Sequence, residues 1–252
     1  MKRWLAAYAV AFYAFLHLPL LTLSAFSFNS GRFMRWEGLS LHWYAAIFRD
    51  PQLMQGTWNS VIIAVLAALF STAAGTLCAY GLWKRGSPLL MGGLYLSLVT
   101  PEIVTGISLL ALFQWIFRWL HWQLGLFTVV LAHVAFCISY VVIVVSARLR
   151  TMSPVLEEAA MDLGATEWQA FYRVTLPSLI PGLVAAALLA LTVSFDDYVI
   201  TSMVAGVDSE TLPMVIYAMA RRGASPVINA ISAMITVGFG LLILLSERLR
   251  ET

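Results

Sequence analysis

The sequence predicts an all-α, polytopic membrane protein with six transmembrane helices, and three observations carry that prediction. Of the 252 residues, 61% are hydrophobic and 11% charged, against about 45–50% and about 25% in an ordinary soluble domain. The mean hydropathy is +0.85, an excess that one soluble core cannot bury. The apolar residues also fall into six runs of spanning length, and a bilayer core of about 30 Å needs about 20 residues of helix. This composition excludes a disordered chain, a nucleic-acid binder and a secreted disulfide scaffold. A net charge of +2 points to no acidic or basic partner. Cys78 and Cys137 lie inside apolar runs and read as small buried hydrophobes.

The runs cover residues 4–26, 57–82, 89–117, 124–147, 174–195 and 225–246. Helix is the expected form because backbone groups in lipid must be satisfied within the segment, and the runs are apolar on all sides where strands would alternate. The first run follows Lys2 and Arg3, as a signal peptide would. It is longer than an h-region of about 7–15 residues, so an uncleaved anchor is expected. In the third, Pro101 removes the hydrogen bond to the Ser97 carbonyl and predicts a kink. With the N-terminus inside, Lys2, Arg3, Lys84, Arg85, Arg148, Arg150, Arg173, Arg248 and Arg250 lie on the inner face. Arg32, Arg35, Arg49, Arg118, Arg221 and Arg222 lie outside. Nine against six puts both termini in the cytoplasm. One membrane domain, 1–252, is expected, with an outer loop at 27–56, an inner segment at 148–173 and an outer segment at 198–224. The last holds a short helix within 209–223, capped by Ser209 or Thr211 and stopped by Gly223 after Arg221 and Arg222.

No phosphate-binding loop of the Gly-x-x-x-x-Gly-Lys-Ser/Thr form occurs in the sequence, and no Cys/His cluster has metal-ligand spacing. Gly106-Ile107-Ser108 in one run and His133 in the next raise an intramembrane serine protease. Glycine and serine at such positions serve helix packing at least as well. His17 and His133 read as histidines bonded within or between helices rather than haem ligands.

The inner segment carries the strongest local signal. Ser153 is an N-cap candidate, Pro154 suits the first helical position, and Glu157 and Glu158 favour the first turns. Leu156, Ala159, Ala160 and Leu163 form an apolar face at helical spacing, and Gly164 ends the helix. Thr166 caps a second helix, 167–173, before Pro177 opens the next span. Two short amphipathic helices meeting at a glycine would suit a docking element that fills another protein's groove.

Glu158-Ala159-Ala160, then three residues, Gly164, then nine residues and Val174-Thr175-Leu176-Pro177 resemble the EAA signature of ABC-importer membrane subunits, with Val174 where isoleucine is usual. Further likeness is to the spermidine/putrescine permeases of the PotC type. It runs through Phe28-Asn29-Ser30, Trp43-Tyr44, Thr100-Pro101-Glu102-Ile103-Val104-Thr105-Gly106 and Ser194-Phe195-Asp196-Asp197. Leu212-Pro213 and the stretch from Gly223 to Ala230 extend it over nearly the whole chain. The resemblance implies a type I (MetI-like) importer permease fold, whose coupling residues would be Glu157, Glu158, Ala159, Ala160, Asp162, Leu163 and Gly164. It implies four kinds of partner: a second, PotB-like permease, two copies of an ATP-binding subunit that hold ATP and Mg, a periplasmic polyamine-binding protein, and membrane lipid. No cofactor or catalytic role would fall to this chain itself.

Carboxylates at membrane depth cost several kcal/mol unless paired or wet, so they mark a pathway by default. Glu102 is expected near the middle of the third span, on one face with Thr105 and Gly106. Asp196 and Asp197 end the fifth span about 100° apart on a helix. On that wheel Asp197 shares a face with Ser194, Tyr198 and Thr201 and reads as pathway-facing, while Asp196 reads as structural or partner-facing. With aromatics such as Phe113, Trp115, Phe136, Tyr140 or Tyr198 nearby, such carboxylates suit a di- or polycation. Competing readings are a permease for another cation, and a channel or secondary carrier; the carrier also uses buried carboxylates but has no use for a docking loop.

Overall fold

The computed structural model describes the backbone of residues 2–32, 35–223 and 225–251, and side chains from Trp4 to Leu244 within them. The side chains of Lys2, Arg3, Arg248 and Arg250, counted in the charge balance, and Ala224 in the second outer segment lie outside the described residues. Among those described the regular structure is helix: α1 (Lys2–Phe26), α2 (His42–Ile47), α3 (Pro51–Arg85), α4 (Pro88–Val99), α5 (Glu102–Leu120), α6 (Leu126–Leu149), α7 (Val155–Asp162), α8 (Glu167–Ala170), a π turn (Phe171–Thr175), α9 (Leu176–Asp196), α10 (Val199–Val204), α11 (Leu212–Arg222) and α12 (Pro226–Glu251). Among the described residues, six helical stretches are long and apolar enough to cross a bilayer. The chain forms two compact units.

One unit comprises residues 1–55 and 214–247. No residue in the most apolar window of α1 is buried; a helix apolar all round needs lipid or another chain against it. His17 donates from Nδ1 to the Tyr13 carbonyl, 2.8 Å away on the same helix. The loop after α1 is tied around Asn29. Its side chain donates to the Arg35 carbonyl at 2.7 Å and accepts from Glu37 N–H at 2.9 Å, and its carbonyl accepts the Trp43 indole N–H at 2.8 Å. The loop after α1 thus holds a folded knot and a short helix, α2.

The other unit comprises residues 56–213 and 248–252, and α6 is its axis. Apolar on every side, α6 buries Val129, Ala132, His133, Cys137, Val141, Val142, Val145 and Leu149 completely. It packs mainly on α9, while α10 packs on α5. Gly75 lets α3 cross α6 closely, since a Cβ there would lie 2.6 Å from Val141 Cγ1. Gly106 plays the packing role expected of it: a Cβ there would stand 3.1 Å from Met203.

Three expectations are corrected. The run 89–117 is not one kinked span but two helices, α4 and α5, with Thr100 and Pro101 extended between them at ψ 128° and 135°. Proline pushes the residue before it towards extended backbone as well as lacking its own N–H, so the helix breaks instead of bending. At 12 residues, α4 is about 18 Å long and cannot cross alone. The second inner helix does not stop at Arg173. It passes through the π turn, where Leu176 N–H bonds the Phe171 carbonyl, into α9. The wider turn relaxes the backbone where Pro177 cannot donate to the Arg173 carbonyl. Finally, Pro154 rather than Ser153 is the N-cap of α7, with no side-chain bond there.

Candidate functional site

Two helix breaks in the second unit, at Thr100–Pro101 and Asp197–Tyr198, lie around one cavity of about 600 Å³. Ser97 and Thr100 come from the end of α4, Glu102 and Thr105 from the start of α5, and Thr192, Asp196, Asp197 and Tyr198 from the junction of α9 and α10. Phe136 and Tyr140 of α6 form the wall behind. Broken helices at membrane depth are tolerated where they line a cavity. Three carboxylates line this one, and none of its lining residues is basic.

The carboxylates are held differently. Asp197 has a side chain only 6% exposed. Its Oδ2 accepts from Thr201 Oγ1 and Thr201 N–H, both at 2.7 Å, and its Oδ1 accepts from Ile200 N–H at 3.3 Å, so it caps the first turn of α10. Behind it His133, fully buried, places Nδ1 at 2.7 Å from Ser194 Oγ, and Nε2 at 2.9 Å from Thr201 Oγ1 and 3.4 Å from Asp197. A ring proton on Nε2 completes this set, with Nδ1 accepting the Ser194 hydroxyl. Both ring nitrogens are thereby used, leaving none to activate the exposed Ser108. Glu102 and Asp196 are exposed, and among the described residues neither carboxylate has a hydrogen bond or ion pair.

Both aspartates line the cavity, Asp197 engaged within its wall and Asp196 open, so the division drawn from the helical wheel does not describe them. The wheel was drawn across Asp196–Asp197 as one helix, but α9 ends at Asp196 and Asp197 has ψ 126°. Glu102 is displaced too, from mid-span to the first turn of α5, where the helix N-terminus favours a negative charge. Thr105 and Tyr198 reach the cavity; Trp115, 66% exposed, is not among its lining residues. Sequence reasoning missed Ser97, Thr100 and Thr192, for which no local signal exists.

The segment after α6 makes a second site. Gly164, at φ +91°, closes α7: its N–H bonds the Met161 carbonyl, and Ala165 N–H bonds Ala160. Thr166 then caps α8 in a reciprocal box with Gln169. Glu158, Ala159, Asp162, Leu163 and Gly164 are exposed and Ala160 half-buried, with Leu163 at 90%. The apolar face of Leu156, Ala159 and Leu163 thus points away from the chain. Glu157 turns the other way, into the protein, at 2% exposure. The resemblance implies it among the coupling residues, yet at one helical residue from Leu156 it stands about 100° off the exposed face. Its Oε1 accepts from Tyr80 Oη at 2.6 Å and Thr175 Oγ1 at 3.0 Å, and its Oε2 pairs with Lys84 Nζ at 2.7 Å. Burial by itself would raise the Glu157 pKa; the bonds from Lys84, Tyr80 and Thr175, with the charge of Lys84, outweigh it and hold the carboxyl below its ordinary value.

Comparison with known proteins places this geometry. Residues 71–251 match the family described as binding-protein-dependent transport system inner membrane component. The putrescine transport system permease protein PotI of Escherichia coli (strain K12) is 40% identical over 236 residues, 91% of this chain and 84% of the relative. The spermidine/putrescine transport system permease protein PotC of the same strain is 37% identical, covering 91% and 87%. Its namesake from Haemophilus influenzae is 36% identical, covering 96% and 94%. Among solved structures, a bacterial ABC transporter that imports the acidic polysaccharide alginate superposes with a TM-score of 0.74 at 17% identity, over 98% of this chain and 93% of that one. The MetNI methionine ABC transporter in an inward-facing form gives 0.64 at 17% identity, over 84% and 97%. At that identity the likeness is one of fold.

Proposed function

This chain belongs to the family of binding-protein-dependent transport system inner membrane components, and we propose that it forms the PotC-type half of a heterodimeric permease that imports spermidine or putrescine. The observation that carries the substrate reading is the cavity with three carboxylates and no basic lining residue. A dehydrated ammonium group pairs with such carboxylates and sits over aromatic faces of the kind Phe136, Tyr140 and Tyr198 offer. The named substrates of the relatives, putrescine and spermidine, are cations of this class.

Energy would come from outside the chain. Of two copies of an ATP-binding subunit, carrying ATP and Mg, one would seat on the exposed face of α7 and the other on the partner permease. A PotB-like permease would complete the pathway, and a periplasmic polyamine-binding protein would deliver substrate. Both termini and α7 then lie on the cytoplasmic side of the inner membrane, and Asp197–Tyr198 towards the periplasmic end of α9. Movement of α7 would rock the spanning helices between inward- and outward-facing states.

Purification through a tag on this chain tests the reading. An ATP-binding subunit is expected to co-purify, and Gly164→Asp to lose it. With the chain expressed without its ATP-binding subunit, a Leu163→Cys variant should react with a membrane-impermeant maleimide only in inside-out vesicles. Labelling of whole spheroplasts would place α7 on the wrong side and end the proposal.

A further inference from the structure

Glu157 lies in the docking segment yet makes no surface. Its three bonds each reach a different place: Tyr80 and Lys84 one turn apart near the end of α3, and Thr175 at the last residue of the π turn entering α9. Aromatic rings close the site, with Tyr80 at 4.4 Å from Phe171 between centroids and Trp168 stacked on Phe171 at 5.2 Å. Lys84 lies 5.3 Å from the Trp83 ring and 5.8 Å from that of Tyr80. A buried ion pair is a poor stabiliser: packed apolar side chains of the same volume often do as well or better. What it supplies that apolar packing does not is a directional, three-way link. The covalent route from α7 to α8 turns at Gly164, where a Cβ would meet nothing within 4 Å.

We infer that Glu157 is a positioning residue, an internal strut that passes displacement of α7 to α3 and α9 at once. The inference rests on the proposed seating of an ATP-binding subunit on α7. The strut meets α9 at Thr175, and Asp196 ends that helix 21 residues on, about 30 Å away. Pulling on Thr175 moves one wall of the cavity, and pulling on Lys84 and Tyr80 moves α3, which crosses α6. Without the carboxylate, α7 can follow its partner while the membrane helices stay behind.

The experiment uses the whole complex in proteoliposomes and reads ATP hydrolysed per putrescine imported. For Glu157→Gln and Lys84→Met this ratio is expected to rise about tenfold, with the ATP-binding subunit still bound. The swapped pair, Glu157→Lys with Lys84→Glu, is expected to return most of the way to wild type. A residue needed only for folding would lower import and hydrolysis together and leave the ratio unchanged. An unchanged ratio in complexes that assemble, or a swap no better than the singles, overturns the strut. If the single variants do not assemble, Tyr80→Phe removes one bond while keeping the ring stack, and a wild-type ratio there overturns it equally. Failure of any ATP-binding subunit to bind the wild-type chain overturns the seating on α7, and the strut with it.

Discussion

Asp196 and Asp197 are neighbours in sequence, yet one is open to the cavity and the other is spent on capping α10. Their substitutions should therefore separate. Asp196→Asn and Glu102→Gln are expected to raise the putrescine concentration for half-maximal import about tenfold each, the loss of about 1.4 kcal/mol of charge pairing. Asp197→Asn instead disturbs hydrogen bonds to a charged group, each worth about 1.5–3 kcal/mol, and should lower the thermal midpoint of the purified complex. An equal effect of both aspartates on half-saturation would contradict this division. Glu157 gives a pH signature. Its pKa is held down in the folded chain, so its stabilisation is fully present above the ordinary glutamate value of about 4.3 and is lost as pH falls towards the folded value. The midpoint difference between wild type and Glu157→Gln should be constant from neutral pH to about pH 5 and shrink below about pH 4. A difference that persists unchanged under acid would show that the carboxylate's charge is not what the site uses.

Helix ends are the elements that build both sites, and they differ in how far local sequence announces them. Gly164, the Thr166–Gln169 box and Gly223 at φ +125° sit where local chemistry expects them. A positive φ costs a residue with a Cβ about 1–2 kcal/mol, and nothing crowds Gly164. Gly164→Ala should thus weaken retention of the ATP-binding subunit less than Gly164→Asp, which adds a charge to an exposed apolar surface. Equal retention by both would show that this turn is no part of the contact. The break at Pro101 and the end of α9 at Asp196 were not legible in the same way. Proline foretells a lost hydrogen bond, but whether the chain bends or breaks depends on what α6 and α10 pack against the opening. The inward turn of Glu157 was hidden because its partner Tyr80 is 77 residues away. Periodicity near residue 157 shows which face is apolar and says nothing of what lies behind it.

At the scale of the whole molecule, spanning length and charge spacing are enough to count the membrane helices, because lipid imposes both. They leave open which helices are broken and which carboxylates face the opening, since those depend on contacts between distant segments. The arrangement that results has an acidic cavity at one end of α9 and an exposed apolar face near the other. A transport subunit driven from one end needs such a separation, and a passive channel has no use for the second surface. The most direct measurement is substrate-stimulated ATP hydrolysis by the full complex with its binding protein. Putrescine or spermidine is expected to stimulate the wild-type complex, and the double variant Glu102→Gln with Asp196→Asn to lose most of that stimulation. Equal stimulation of the two complexes, or stimulation by an uncharged sugar but not by a polyamine, would contradict a cation pathway through this cavity.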